Sequence, residues 1–129
     1  MPTATVFIVD DDPSMRGALA RLVRSAGLPV ESFASAEEFL ADVDVKARAF
    51  LVLDARLTGM SGLELLACMA ERASTIPVAI ITAVDDGQVE LDALRAGAMA
   101  FLRKPFDPQS LLDTIARGLD GSAATDGSA

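Results

Sequence analysis

The chain has 129 residues, enough for one domain that buries roughly two thirds of its unfolded surface without staples. Its 51% apolar content is ordinary for a globular protein, and no apolar run approaches the ~20 residues that a membrane helix needs. A net charge of -8 and a pI near 4.3 disfavour direct binding to nucleic-acid phosphates. The absence of histidine and the single cysteine exclude histidine acid/base chemistry, a histidine phosphodonor, an intrachain disulfide and a Cys/His metal cluster. Any such chemistry must come from a partner. Met1-Pro2-Thr3-Ala4-Thr5 lacks the basic start and long apolar stretch of a signal peptide, so a cytoplasmic location is expected.

The first apolar run, Val6-Phe7-Ile8-Val9, reads as a buried strand and stops on Asp10-Asp11. Asp12-Pro13 then supplies a helix N-cap followed by proline at the first helical position, which makes Asp12 a cap rather than a ligand. Met15, Leu19, Leu22, Val23 and Ala26 continue that helix at three-to-four spacing, and Gly27 ends it. Leu28 to Phe33 reads as a second strand, less apolar than the others and so at or near an edge. Ser35 and Glu38 form a capping-box pattern before a short helix with Phe39 and Leu40, and Asp42 to Arg48 is a polar connection.

Phe50-Leu51-Val52-Leu53 is another buried-strand run, and it ends on Asp54. A buried strand cannot easily carry an isolated charge inward, so Asp54 is expected at the strand's C-terminal mouth. Residues 55–60 form a loop, and Ser61-Gly62-Leu63-Glu64 opens a helix carrying Leu63, Leu66, Met69, Ala70 and Cys68, the last as a small apolar residue. Val78-Ala79-Ile80-Ile81 ends on Thr82. A helix is expected from Val84 to Ala96, with Gly97 at its C-cap; its Leu91 and Leu94 are either core-facing or part of a partner surface. Met99-Ala100-Phe101-Leu102 ends on Arg103-Lys104, and Asp107-Pro108 opens a last helix with Leu111, Leu112, Ile115 and Leu119. From Gly118 the composition turns to Gly, Ser, Ala, Thr and Asp, so the domain is expected over 1–119 with a flexible tail or linker over 120–129.

Strands alternating with helices imply an α/β fold, a doubly wound parallel sheet covered on both faces. Acids from strands one and three meet only if those strands are neighbours, which gives the order 2-1-3-4-5 with a crevice at the one/three junction. That edge then holds Asp10, Asp11, Asp54, the Thr82 hydroxyl and the Lys104 ammonium. Carboxylates a few ångströms apart repel by about 4 kcal/mol per close pair at an effective dielectric near 20, and with oxygen ligands only the natural ion is Mg²⁺. Such a mouth suits phosphoryl transfer, with Asp54 as the nucleophile of an aspartyl phosphate.

The combination Val9-Asp10-Asp11-Asp12, Asp54, Thr82-Ala83 and Lys104-Pro105-Phe106 resembles the receiver domain of bacterial two-component response regulators, with its flavodoxin-like (βα)5 fold, over roughly Val6 to Leu119. It is most similar to the FixJ-like subgroup through Val9-Asp10-Asp11-Asp12-Pro13, Ser61-Gly62-Leu63-Glu64-Leu65-Leu66 and Ala96-Gly97-Ala98. The resemblance implies that Asp54 accepts phosphate from a sensor histidine kinase. It further implies that Asp11 and Asp54 ligate Mg²⁺ directly, Asp10 through water and Arg56 by its backbone carbonyl. Lys104 and Thr82 would contact the phosphoryl group, Phe101 would be the switch aromatic, and a cis peptide is implied before Pro105. Phosphorylation would then alter the face of helix four, strand five and helix five, controlling a homodimer, an output domain or a partner protein. Arg56 and Val84 occupy positions that in such proteins tune water access.

One departure stands out: Leu57-Thr58 replaces the family's usual Met-Pro, which is expected to loosen the loop after Asp54. Three other classes compete. A Mg²⁺-dependent aspartyl-phosphate hydrolase of the haloacid dehalogenase kind needs a second acid where Arg56 stands. A flavin-binding electron carrier needs a Trp or Tyr and a Ser/Thr-rich phosphate loop, both missing. A degenerate receiver that only docks partners is disfavoured by the intact acid, threonine and lysine set.

Overall fold

A computed structural model describes residues 4–83 and 87–128, with side chains described as far as residue 120. Strands and helices alternate throughout: β1 (Thr5–Val9), α1 (Pro13–Ser25), β2 (Val30–Phe33), α2 (Ala36–Asp42), β3 (Ala49–Asp54), α3 (Gly62–Glu71), β4 (Val78–Thr82), α4 (Gly87–Arg95), β5 (Ala100–Arg103) and α5 (Pro108–Ser128). All strand pairs are parallel and the sheet order is β2-β1-β3-β4-β5, as the positions of the acids require.

The pleat divides the apolar runs between two cores. Phe7, Val9, Leu51, Leu53, Val78 and Ile80 face Phe39 of α2, Leu65 and Met69 of α3 and Ala93 of α4. Val6, Ile8, Phe50, Val52, Ala79 and Ile81 face Leu19 and Val23 of α1 and Leu111 and Ile115 of α5. The strands with apolar residues on both faces, β1, β3 and β4, are therefore the central ones, while β2, with Glu31 and Ser32 exposed, is an edge. Phe7, Phe33 and Phe39 pack edge-on or tilted at centroid distances of 5.6–6.0 Å, which seats α2 firmly on the β1/β2 side.

Helix ends follow local chemistry. The Asp12 carboxylate caps α1 by accepting the Ser14 N–H at 2.9 Å, and Ser61 and Glu64 complete a reciprocal capping box on α3. Gly27 and Gly97, both at positive φ, follow α1 and α4.

Val84 to Asp86 lie outside the described residues, so the start expected for the fourth helix is not described, and α4 is described from Gly87. Leu91 and Leu94 are about half exposed, and the helix buries Ala93 instead; these leucines belong to the surface. Cys68 is only half-buried. Gly118 does not break the last helix, which is helical through Ser128. A Cβ at Gly118 would run into the Phe50 ring and come within 3.0 Å of the Met99 sulfur, so glycine there lets α5 lie close to the sheet. Helix propensity alone would favour alanine by about 1 kcal/mol. Gly118→Ala should nevertheless destabilise the fold, by about 1–2 kcal/mol net of overpacking strain. Urea unfolding followed by far-UV circular dichroism checks this, and a variant as stable as wild type would show that the Phe50 contact yields.

Candidate functional site

Val9 pairs with Leu53, so β1 and β3 finish level and deliver Asp10 and Asp54 side by side at the carboxyl edge of the sheet. Asp10 is fully buried and Asp54 is 7% exposed, whereas Asp11 is exposed. One carboxylate oxygen from each of the three lies within 4.8 Å of the others. Lys104 reaches in from beyond β5, with Nζ 3.6 Å from Asp10 Oδ2 and 3.6 Å from Asp54 Oδ2. Its own N–H donates to the Thr82 carbonyl at 2.8 Å, which ties the lysine segment to the end of β4. The Thr82 side chain is buried at that end, and the Lys104–Pro105 peptide is cis.

Each carboxylate is oriented by a different backbone donor. Asp10 Oδ1 accepts the Asp12 N–H at 2.9 Å, and Asp54 Oδ1 accepts the Arg56 N–H at 2.9 Å. Both Asp10 Oδ2 and Asp54 Oδ2 are thereby turned toward Lys104. Arg16 on α1 donates from Nη1 to the Asp10 backbone carbonyl at 2.8 Å, a contact with no sequence signal beyond a basic residue one turn into the helix.

Asp10 Oδ2 is buried without a hydrogen-bond partner among the described residues, since Lys104 Nζ stands beyond hydrogen-bond reach. Among the described residues three clustered carboxylates share one lysine ammonium, so negative charge is in excess within the cluster. An all-oxygen donor set, an excess of negative charge and an orphaned buried carboxylate oxygen fit a hard divalent cation of the Mg²⁺ type. Burial pushes the Asp10 carboxyl up from its ordinary value; the Asp54 and Asp11 charges add to this, while the Asp12 N–H and Lys104 oppose it.

The structure thus gathers Asp10, Asp11, Asp54, Thr82 and Lys104 at one edge. Phe101 lies half-exposed on β5, opposite Ile80 and packed on the core that includes it. Because side chains alternate along β4, Thr82 shares the face of Ile80 and hence of Phe101, two residues further along the strand. In the loop expected to be loosened by Leu57-Thr58, hydrogen bonds reach distant segments. Thr58 donates from both its N–H and its Oγ1 to Asp11 Oδ2, each at 3.1 Å, and the Met60 N–H donates to Glu37 Oε2 at 3.0 Å. The overlooked signal was that a residue other than proline brings a backbone donor with it.

A family model described as "Response regulator receiver domain" matches residues 6–116. The chain belongs to that family. As a receiver domain it is 44% identical over 112 residues to Nodulation protein W of Bradyrhizobium diazoefficiens, covering 87% of this chain and 49% of that protein. It is 40% identical over 113 residues to the transcriptional regulatory protein TdiR of Thauera aromatica, with the same coverage of each chain. The response regulator StyR superposes with a TM-score of 0.89 at 43% identity, covering 98% of this chain and 64% of that one. The FixJ-N crystal structure superposes with a TM-score of 0.83 at 35% identity, covering 93% of this chain and 96% of that one. The receiver domain spans about half the length of the curated relatives TdiR and Nodulation protein W. No helix among the described residues is long and apolar enough to cross a membrane.

The raised Asp10 value makes a pH prediction. Between the ordinary carboxylate range and that raised value, the native state retains a proton that the unfolded state has lost, so stability falls as pH rises through the window. Above it the penalty is constant. Without divalent cations, Asp10→Asn should therefore melt higher than wild type at neutral pH, and the difference should shrink as pH drops toward 4. Melting curves in chelator across that range check this; parallel pH profiles would overturn the assignment.

Proposed function

We propose that the domain takes a phosphoryl group from the phosphohistidine of a sensor histidine kinase onto Asp54. The observation that carries this reading is the buried Asp54 carboxylate, fixed by the Arg56 N–H and facing Lys104 at 3.6 Å, beside a second buried acid. Asp10, Asp11, Asp54 and the Arg56 carbonyl would hold Mg²⁺, which when bound neutralises charge on the phosphoryl oxygens. An Asp54 oxygen attacks phosphorus in line, the P–N bond breaks, and its electron pair leaves with the imidazole. Lys104 pairs with a phosphoryl oxygen, and the Thr82 hydroxyl donates to another. The domain catalyses only its own phosphorylation and the later hydrolysis of the acyl phosphate. A cytoplasmic setting follows from such a kinase partner.

The output reading rests on the shared face of Thr82 and Phe101 and on an apolar surface beside it. Drawing the Thr82 hydroxyl toward the phosphoryl group vacates space on the Phe101 side, and the ring turns inward. Leu91, Leu94 and Met99 are exposed on or next to α4 and β5, and the exposed Arg103–Glu90 pair at 3.2 Å bridges those two elements. That face, with α5, would bind a second copy, an output domain or a partner protein, with coupling of about 1–3 kcal/mol. The transcriptional regulatory names of longer relatives support an output domain for a longer version of this chain.

Acetyl phosphate with Mg²⁺ should add one phosphate by intact mass, and Asp54→Asn should abolish the addition; a fully labelled variant would refute the assignment. Thermal melts should rise with Mg²⁺ by mass action, equivalent to about 2.7 kcal/mol at a hundredfold excess over the dissociation constant. The gain should be lost in Asp11→Ala. Beryllofluoride, a mimic of the acyl phosphate, should move the amide resonances of Thr82, residues 87–94 and residues 99–104. Shifts confined to residues around the acids would leave phosphorylation in place and remove the switch.

A further inference from the structure

Thr58 does more than fill the position where the family usually has proline. Its N–H and its hydroxyl both donate to one oxygen, Asp11 Oδ2, at 3.1 Å each. Two donors occupy the two lone pairs of that oxygen and fix the orientation of the carboxylate. Proline could offer neither bond.

The loop that carries Thr58 is itself held on both sides. Before it, the Arg56 N–H is bound to Asp54 Oδ1 at 2.9 Å; after it, the Met60 N–H is bound to Glu37 Oε2 at 3.0 Å. Glu37 belongs to α2, whose Phe39 is fully buried against Phe7 and Phe33 at 5.7 and 5.6 Å. The Gly62 N–H on the Ala55 carbonyl at 3.1 Å closes the loop at its base. The hydrogen-bonded path therefore runs from a helix seated on the core by Phe39, through the loop, to Asp11. Asp11 is the exposed member of the three acids, repelled by Asp10 and Asp54, with neither Lys104 pairing directed at it. Nothing else among the described hydrogen bonds holds its carboxylate against the other two.

We propose that Thr58 is a positioning residue for Asp11, holding its carboxylate in the metal-binding arrangement through a paired backbone and hydroxyl bond that replaces the usual loop proline. This rests on the reading of the three acids as a Mg²⁺ site. Outer partners of metal-ligating groups typically change metal affinity by about 10–100-fold, and Asp11 is one ligand of several, so the lower end applies.

The chain has no Trp or Tyr to report binding, so calorimetric titration with Mg²⁺ alone is the measurement. Thr58→Val keeps the N–H and removes the hydroxyl, and should weaken Mg²⁺ severalfold; Thr58→Pro removes both donors and should weaken it about tenfold. Thr58→Ser restores both and should match wild type, which separates positioning from loop packing. In an Asp11→Asn background, Thr58→Val should change affinity less than twofold, because the two act as one unit. Melting curves in chelator confirm that each variant is folded. If Thr58→Val and Thr58→Pro bind Mg²⁺ as tightly as wild type or more tightly, the inference is overturned while the metal site stands. If wild type binds no Mg²⁺, or Asp11→Asn leaves binding unchanged, both the metal reading and the role of Thr58 fall.

Discussion

Asp10 is a fully buried carboxylate, and a second buried carboxylate and an exposed third lie within 4.8 Å of it. Removing such a charge from water without full compensation is expensive, and the rest of the edge is arranged to limit that cost. The N–H groups of Asp12 and Arg56, Lys104 placed 3.6 Å from two acids, and Thr58 on the third divide the work. Among the described residues compensation stays incomplete, because Asp10 Oδ2 has no hydrogen-bond partner and three carboxylates share one lysine ammonium. The proposed cation and phosphoryl group would relieve that imbalance.

The sheet order decides where this tension sits. β1 and β3 are neighbours with level ends, so their terminal acids meet, and β4 and β5 bring Thr82 and Lys104 in from one side. The loops do the finer alignment. The Thr82 carbonyl holds the lysine segment, and Glu37 on α2 holds the segment after β3. A helix that touches no acid directly thus contributes to their geometry through the Phe7, Phe33 and Phe39 cluster that seats it.

α4 shows the opposite balance between packing and exposure. It buries Ala93 and leaves Leu91 and Leu94 about half exposed, so it is lightly anchored, and α4 and β5 are linked at the surface by an exposed ion pair. Exposed pairs of that kind contribute little to stability. The proposed switch would act on this face, beside a buried threonine and a half-buried phenylalanine.

Much was legible from residue order alone. Apolar runs ending on polar residues defined the strands, their chemistry required β1 beside β3, and the Asp12, Ser61 and Asp107-Pro108 signals marked where α1, α3 and α5 begin, because local patterns encode burial and capping. Asp10, Asp11, Asp54, Thr82 and Lys104 could be named because strand ends in a parallel sheet converge. Contacts between segments distant in the chain were not legible. Whether Leu91 and Leu94 face the core depends on how α4 is rotated, and Gly118 reads as the start of a tail-like composition until Phe50 is seen beneath it. Thr58 reads as a lost proline until its two donors are seen on Asp11, 47 positions away. The sequence by itself determined which groups reach the carboxyl edge. Only the tertiary structure decided which donor meets which oxygen, because a hydrogen bond is set by ångström-scale placement that no spacing along the chain encodes.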